Sequence, residues 1–455
     1  MNYDVEAIRW DFPILEREIN GYPLAYLDSG NTSQKPRQVV DAIASHYLEH
    51  NANVARAMHQ LGAEATAAFE GGRATVADFI GAAEAAEVVF TKNASEALNL
   101  AANTLGAGLE SGDEVVVSVM EHHSNIVPWQ LVCQRTGATL RWFDITEDGH
   151  LDLDKARAEN LINDRTRIVS ITWASNVLGT INPIREIADW AHQHGAIMVA
   201  DGAQGVPQRP TDVSELGVDM LAFTGHKLCG PTGIGVLWGR LQLLETLPPF
   251  LGGGEMIEVV RMEGSTFAPP PARFEAGTPP IAQAVGLAAA IDYLRGIGVE
   301  KVAAHEKAIT RYAIDRLMKV EGLRILGPTR DDDRGGAIAF TLDGVHPHDL
   351  MQLTDARGVA IRGGHHCARP LHDRLGVQSS SRASSYLYTT TREVDQLVDA
   401  LDYARDFFTG KSRSHRGRMT LAERKAAREA RRVAREDLDG GAQTGAVPED
   451  DRGGA

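Results

Sequence analysis

The sequence predicts an α/β protein built on a mostly parallel sheet with helices on both faces, followed by a smaller α+β unit. Short Val/Ile-rich runs such as EVVFT, DEVVVSV and AIMVA recur between helical runs of about ten residues, the pattern of strands buried on both faces. Each run ends on a polar cluster. From about Gly296 the alternation gives way to a long helix and a few strands. The 455 residues suit two or three domains, and 43% hydrophobic with 24% charged residues is the composition of a soluble globular chain that builds a full core.

Residues 1–24 read as a short helix and a connection, and Leu24–Asp28 as a strand leading into the loop SGNTSQKP. Pro36 fits the start of a helix with apolar positions at Val39, Val40, Ile43 and Tyr47. A second helix covers about Gly62–Ile80. Then come a strand at Glu87–Thr91, a turn at Lys92–Ser95 and a helix at Glu96–Leu105, which Asn93 or Ser95 can cap. Its N-terminus suits a phosphate as well as it suits an ordinary cap. Strands at Asp113–Val119, Ala138–Phe143, Ile168–Thr172, Ala196–Ala200, Met220–Phe223 and Gly235–Trp238 follow, with helices at Ile126–Gly137 and Ile184–His194. Residues 241–280 read as Gly/Pro-rich loop and 281–295 as an alanine-rich helix. The second unit has helices at 299–320, His348–Arg357 and Glu393–Phe408, strands GGAIAFTL and GVAIR, and the loop GGHHCARPLHDRLG. The expected domains are therefore 25–295 and 296–410, with 1–24 packing on the smaller one and 411–455 a charged tail, disordered or marginally helical.

Charge is unevenly spread. The net charge is −15, but residues 411–435 carry ten Lys/Arg against two acids, and 436–455 carry six acids against one Arg, leaving −18 on residues 1–410. An acidic body argues against a general nucleic-acid surface, whereas the basic tail can bind an acidic partner or fold back. The N-terminus carries early acids and no apolar stretch of signal-peptide type, and three well-separated cysteines make no disulfide framework, so a cytoplasmic, reducing location is expected.

Several residues stand where ligands bind in such sheets, at the carboxyl ends of strands: Ser95, His122, Asn176, Asp201 and Lys227. Lys227 follows a core strand and lies between glycines. It is either an exposed loop lysine or a desolvated amine that attacks an aldehyde. Asp201 ends a buried strand, either capping the next turn or facing a fixed cation. His122 and His123 can stack on a planar group or move protons. His365, His366 and Cys367 lack the second ligand pair a zinc site needs, so no metal is expected. Cys367 has polar neighbours that favour its thiolate, unlike Cys133 in an apolar helix. Arg362 and Arg382 flank it and can grip a carboxylate, although either alone reads as a surface charge.

These stretches together carry a resemblance. YLDSG, SQKP, EHHSNIVPWQ, SNVLGTINP, HGAIMVADGAQ, FTGHKLCGPTGIG, RFEAGTP and IRGGHHCARP with SSRAS, over about residues 24–405, resemble the group II cysteine desulfurases of the SufS type, in the class V aminotransferase-fold family. The resemblance implies a pyridoxal 5'-phosphate-dependent transferase of fold type I. It implies Lys227 as the lysine joined to the cofactor, Asp201 at the ring nitrogen and His122 on the ring. Asn176 and Gln204 fall beside the phenolic oxygen, with Asn176 also reaching the substrate. Ala94, Ser95, Thr224 and His226 fall at the phosphate. Thr278 reaches the phosphate of a neighbouring subunit, implying a homodimer. Arg362 and Arg382 hold the substrate carboxylate, and Cys367 takes sulfur from L-cysteine and passes it to a SufE- or SufU-like acceptor for iron–sulfur cluster assembly. Two stretches depart from the family pattern: residues 55–59, where HRG-x-H is usual and the first histidine and the glycine are absent, and the loop after Asp28, usually richer in alanine. A selenocysteine lyase of the same fold, and a weakly catalytic scaffold with a binding tail, are the alternatives.

Overall fold

A computed structural model describes residues 3–55, 59–330 and 334–409. The chain divides into a compact unit, Met1–Arg405, and a second one, Asp406–Ala455. The expectations for the tail 411–455 lie outside the described residues.

The seven-stranded sheet holds β1 (Val88–Thr91), β2 (Glu114–Ser118), β3 (Thr139–Phe143), β4 (Thr166–Thr172), β5 (Ile197–Asp201), β6 (Met220–Thr224) and β7 (Gly235–Gly239). Their order is β1-β7-β6-β5-β4-β2-β3. The run from β3 to β6 is parallel, and β7 alone runs against its neighbours β1 and β6. The sheet is mostly parallel as expected, with this one reversed strand. Both faces are covered, and successive side chains alternate between two cores. Val116, Met198, Ala200 and Leu221 enter one. Val115, Val117, Val199, Met220 and Ala222 enter the other. That alternation explains why the central strands are mostly apolar on both faces, and burying each Val or Leu contributes about 1.5–3 kcal/mol.

A second sheet pairs Leu323–Leu326, Ala337–Leu342, Ser380–Ser384 and Arg362–Gly364, in that spatial order. Its core is Ile338, Phe340, Leu342 and Ala383 against Ile309, Leu317 and Leu397. The N-terminal segment joins it, because Ala25–Tyr26 pairs in parallel with Val359–Ala360 and Arg9 bonds Glu393 at 2.9 Å.

Three local expectations change. Residues 241–280 are not all loop: Ile257–Arg261 and Gly264–Phe267 form an antiparallel hairpin, disguised in sequence by its Gly/Pro-rich flanks. Leu323–Leu326 is an additional strand, short and half-exposed. The loop read at Gly363–Gly376 is largely ordered, Gly363 and Gly364 lying in a strand and Arg369–Arg374 forming a helix with Pro370 in the first turn. Among the described residues, no helix is long and apolar enough to cross a membrane.

Candidate active site

The carboxyl ends of the parallel strands build a cavity of about 200 Å³. β1 leads to Asn93, whose side chain accepts the Glu96 N–H at 3.0 Å and caps the helix Ala94–Leu105. The free N–H groups of that first turn have no partner within the helix, so they present an anion site. β2 is followed by His122, β4 by Asn176, and β5 ends on Asp201. β6 ends on Thr224 and runs straight into the tight turn Gly225–Lys227. Because β7 is reversed, its first residue, Gly235, lies at this same edge between Thr91 and Thr224. A Cβ there would stand 2.4–2.8 Å from the Asn93 backbone, so only glycine lets the strand pass behind the helix start. Ala94, Ser95, Gln204 and His226 complete the predicted residues on the wall. A larger surface groove of about 950 Å³ shares none of these residues and holds none of the buried charges that make this edge reactive.

The electrostatics follow from enclosure. Lys227 opens onto the cavity but is walled off from bulk water, and burial pulls its amine down to about 8, with Asp201 beside it opposing and Arg382 assisting. Asp201 is pushed up by burial, partly offset by the Ala203 N–H at 3.0 Å and by Lys227. It has no ion-pair partner among the described residues, so the site holds a carboxylate that lacks its cation. Burial, with Lys227 close by, lowers His122 to about 3. Its Nδ1 accepts the Ser124 N–H at 3.1 Å, which leaves the hydrogen of the neutral ring on Nε2. His226 falls to about 4 for the same reasons. Its carbonyl takes the Ser33 N–H at 3.0 Å and the Lys35 ammonium at 2.9 Å, while Ser33 Oγ accepts the Cys229 N–H at 2.9 Å. The SQKP stretch therefore pins the turn that carries Lys227.

Cys367 lies on the loop after Arg362–Gly364 and is the one exposed cysteine; Cys133 and Cys229 are buried. His366 and Cys367 are both left-handed, with φ of 50° and 56°. Two such residues in a row cost about 1–3 kcal/mol each and persist only where surrounding contacts fix them. Three do so. Asn176 Nδ2 donates to the His366 carbonyl at 2.7 Å, the His123 N–H to the Cys367 carbonyl at 2.7 Å, and the Arg369 N–H to His123 Nε2 at 3.0 Å. A Cys367 thiolate lies near enough to act on Lys227, Arg362 and Arg382. Both arginines meet Asp28: Arg362 Nη2 at 2.9 Å and Arg382 Nη2 at 3.3 Å. Arg382 is buried, its Nη1 donating to the Asn176 carbonyl at 3.0 Å and its Nε unpartnered.

The edge thus offers an amine near neutrality, an unpaired buried carboxylate, an anion-binding helix start and an accessible thiol. The family profile for aminotransferase class-V matches residues 25–397. A probable cysteine desulfurase of Streptomyces coelicolor is 57% identical over 89% of this chain and 98% of the relative. A cysteine desulfurase of Haloferax volcanii is 51% identical, covering 89% and 98%. The chain belongs to the class-V aminotransferase family, among its cysteine desulfurases. Solved structures agree. The apo cysteine desulfurase of Thermococcus onnurineus superposes with a TM-score of 0.83 at 38% identity, over 89% of this chain and 98% of that one. The Escherichia coli cysteine desulfurase CsdA, in an S-sulfonic acid form, gives 0.82 at 37% identity, over 90% and 100%.

The family's cofactor is pyridoxal phosphate, and the residues present fit it. The helix start with Ser95, Thr224 and His226 suits the phosphate. The carboxylate without a cation suits a protonated ring nitrogen, and the lowered lysine suits the aldehyde.

Of the predicted residues, Ala94, Ser95, His122, Asn176, Asp201, Gln204, Thr224, His226 and Lys227 line the one cavity. Cys367, Arg362 and Arg382 stand beside it. Thr278 does not reach it and is exposed. Gln204 Nε2 donates to the Gly30 carbonyl at 2.6 Å and Asn176 Nδ2 to the His366 carbonyl at 2.7 Å, so one of the two N–H donors of each amide is used within the chain. His366 does not flank the thiol as its sequence position implies: it is buried, with Nε2 on Ser380. In the divergent stretch 55–59, Ala55 is left-handed and His59 caps the helix Gln60–Phe79; residues 56–58 lie outside the described residues.

Sequence reasoning missed Asp28, Ser124 and Glu121. Glu121 is fully buried beneath His122, accepting from Ser118 Oγ at 2.5 Å and Asn125 Nδ2 at 2.7 Å, and burial pushes it up to about 8. The only signal was an acid next to two histidines. The native state keeps this proton at neutral pH, whereas the unfolded chain sheds it around the ordinary value of 4.5. Between those values the folded form binds more protons, so stability falls as pH rises through the window. Glu121→Gln therefore gains melting temperature relative to the parent more at about pH 9 than at about pH 6. Glu121→Ala loses at both, by about 1–3 kcal/mol, because Asn125 and Ser118 lose their acceptor. Thermal melts at the two pH values check both outcomes.

Proposed function

We propose that this cysteine desulfurase divides its reaction between Lys227, which handles the proton at the substrate Cα, and Cys367, which takes the sulfur. The observation that carries this reading is that an amine held near neutrality and an exposed thiol meet at the edge of one cavity. Bound there, pyridoxal phosphate supplies an electron sink conjugated to Cα. Ala94 and Ser95 offer N–H groups to the phosphate, joined by Thr224 and His226. With the cofactor bound, Asp201 would hold the ring nitrogen protonated, His122 would lie against the ring, and Asn176 and Gln204 would stand by the phenolic oxygen. Arg362 and Arg382 orient the carboxylate of L-cysteine, with Asn176 beside them.

Lys227 Nζ, in its neutral form, removes the Cα proton. The Cys367 thiolate attacks the substrate sulfur. The sulfur–sulfur bond forms as the Cβ–sulfur bond breaks with its electron pair left on carbon; Cβ then gains a proton and Lys227 returns one to Cα. L-cysteine and the thiol become alanine and a persulfide, with no outside oxidant or reductant. The persulfide serves iron–sulfur cluster assembly. The exposure of Cys367 supports handover to a SufE- or SufU-like acceptor. The exposure of Thr278, away from its own cavity, supports a homodimer in which it reaches the neighbouring phosphate. The division into a large cofactor domain at 25–295 and a small one at 296–410, and a cytoplasmic location, belong to the same proposal.

The lowered lysine gives a direct test. Apoprotein mixed with pyridoxal phosphate captures it covalently at a rate that rises with pH, because the protonated amine cannot attack. The midpoint lies at about 8 for Lys227, against 10.5 for an ordinary lysine. Stopped-flow absorbance measures it. A midpoint at the ordinary value removes the enclosed-amine argument.

A further inference from the structure

We infer that His123 is a positioning residue for the sulfur-carrying loop, its main chain holding the Cys367 carbonyl and its ring holding the Arg369 N–H. The two histidines of EHH are equivalent in sequence but not in space. His122 faces the cavity, whereas His123 points at the loop 365–369 and is absent from the cavity wall. Its two bonds, 2.7 and 3.0 Å, bracket Cys367 from the same side. Asn176 fixes the preceding carbonyl from another strand end. The backbone between these tethers holds the adjacent left-handed residues His366 and Cys367, a conformation that L-residues leave unless it is imposed. The ring tether can be switched. Nε2 accepts a hydrogen bond only while the imidazole is neutral. Burial and the nearby His365 keep it so, lowering its pKa. The other groups that face it are His122, at 6.3 Å between rings, Cys367 itself, and Arg369, whose charge Asp373 takes up at 2.7 Å. Protonating His123 therefore removes the Arg369 tether and loosens the loop at the thiol, without touching the cofactor residues.

This inference rests on Cys367 as the sulfur acceptor, and its test separates the two. Holoenzyme is prepared as the parent, His123→Ala and His123→Gln; glutamine keeps an acceptor oxygen within reach of the Arg369 N–H. Iodoacetamide labelling of Cys367, followed by peptide mass, reads the loop directly, because the other two cysteines are buried. The Ala variant labels about threefold or more faster than the parent at neutral pH, and Gln returns to the parent rate. With L-cysteine, kcat of the Ala variant falls about fivefold or more while KM stays within about twofold, the split expected when geometry at the nucleophile is lost but substrate binding is not. The ratio of parent to Gln labelling, each rate divided by the thiolate fraction from that variant's own pH profile, is flat at about pH 8 and rises as the pH falls below the ordinary histidine value of 6.5 and the parent ring takes its proton. Parent-like labelling and kcat in the Ala variant overturn the inference. So does a Gln variant that behaves as Ala, or a parent-to-Gln ratio independent of pH. Should Cys367→Ser keep turning over L-cysteine while the labelling ratios behave as stated, the sulfur-acceptor reading fails and the tether stands.

Discussion

Cys367→Ser keeps the cofactor-dependent absorbance of the parent and loses formation of alanine from L-cysteine by about 10³-fold or more. The hydroxyl is nearly the size of the thiol, so the left-handed loop and its three tethers are unchanged. What is lost is the one exposed nucleophile able to accept sulfur; Cys229 is buried and burial pushes its thiol up to about 12, so it cannot substitute. Mass spectrometry after L-cysteine shows the parent peptide heavier by one sulfur atom at Cys367 and the serine variant unchanged. Undiminished alanine release by the variant would place sulfur removal elsewhere.

Lys227→Ala binds pyridoxal phosphate only reversibly, and its alanine formation falls by about 10⁴-fold or more, because both the covalent anchor and the base at Cα are removed. After borohydride reduction the parent retains the cofactor's mass on the peptide holding Lys227, and the variant retains none. Folding is expected to survive: Lys227 makes no hydrogen bond through its side chain among the described residues, and its turn is held by Ser33 and Lys35 through the His226 carbonyl. Removing a buried charge also relieves the burial that lowers the amine to about 8. It also takes from Asp201 the nearby cation that partly offsets its burial, so the two effects oppose and the alanine variant melts close to the parent apoprotein at about pH 7. A borohydride-stable cofactor on another lysine would overturn the assignment.

The sheet was legible because its central strands, buried on both faces, are mostly apolar, and the site because β1, β2, β4, β5 and β6 each end on a polar residue. Asp201 and Lys227 stand out on those grounds alone. The hairpin Ile257–Phe267 was illegible for the opposite reason: its tip residue Met262 is 99% exposed and Val260 62%, so no burial pattern marks it. The Asp28 pairings were hidden by distance along the chain, spanning 334 residues to Arg362 and 354 to Arg382. The family resemblance singled out His122, but no role for His123 or His366 was legible in sequence. Only the fold turns His122 to the cavity, His123 to the loop and His366 into the core.

Asp28 gives the carboxylate grip its arithmetic. Two guanidinium groups facing one buried carboxylate leave a single uncompensated positive charge. The Cys367 thiolate and a substrate α-carboxylate both draw on that charge. Under the role proposed for the two arginines, Asp28 thus sets how much positive charge is left to meet a substrate carboxylate.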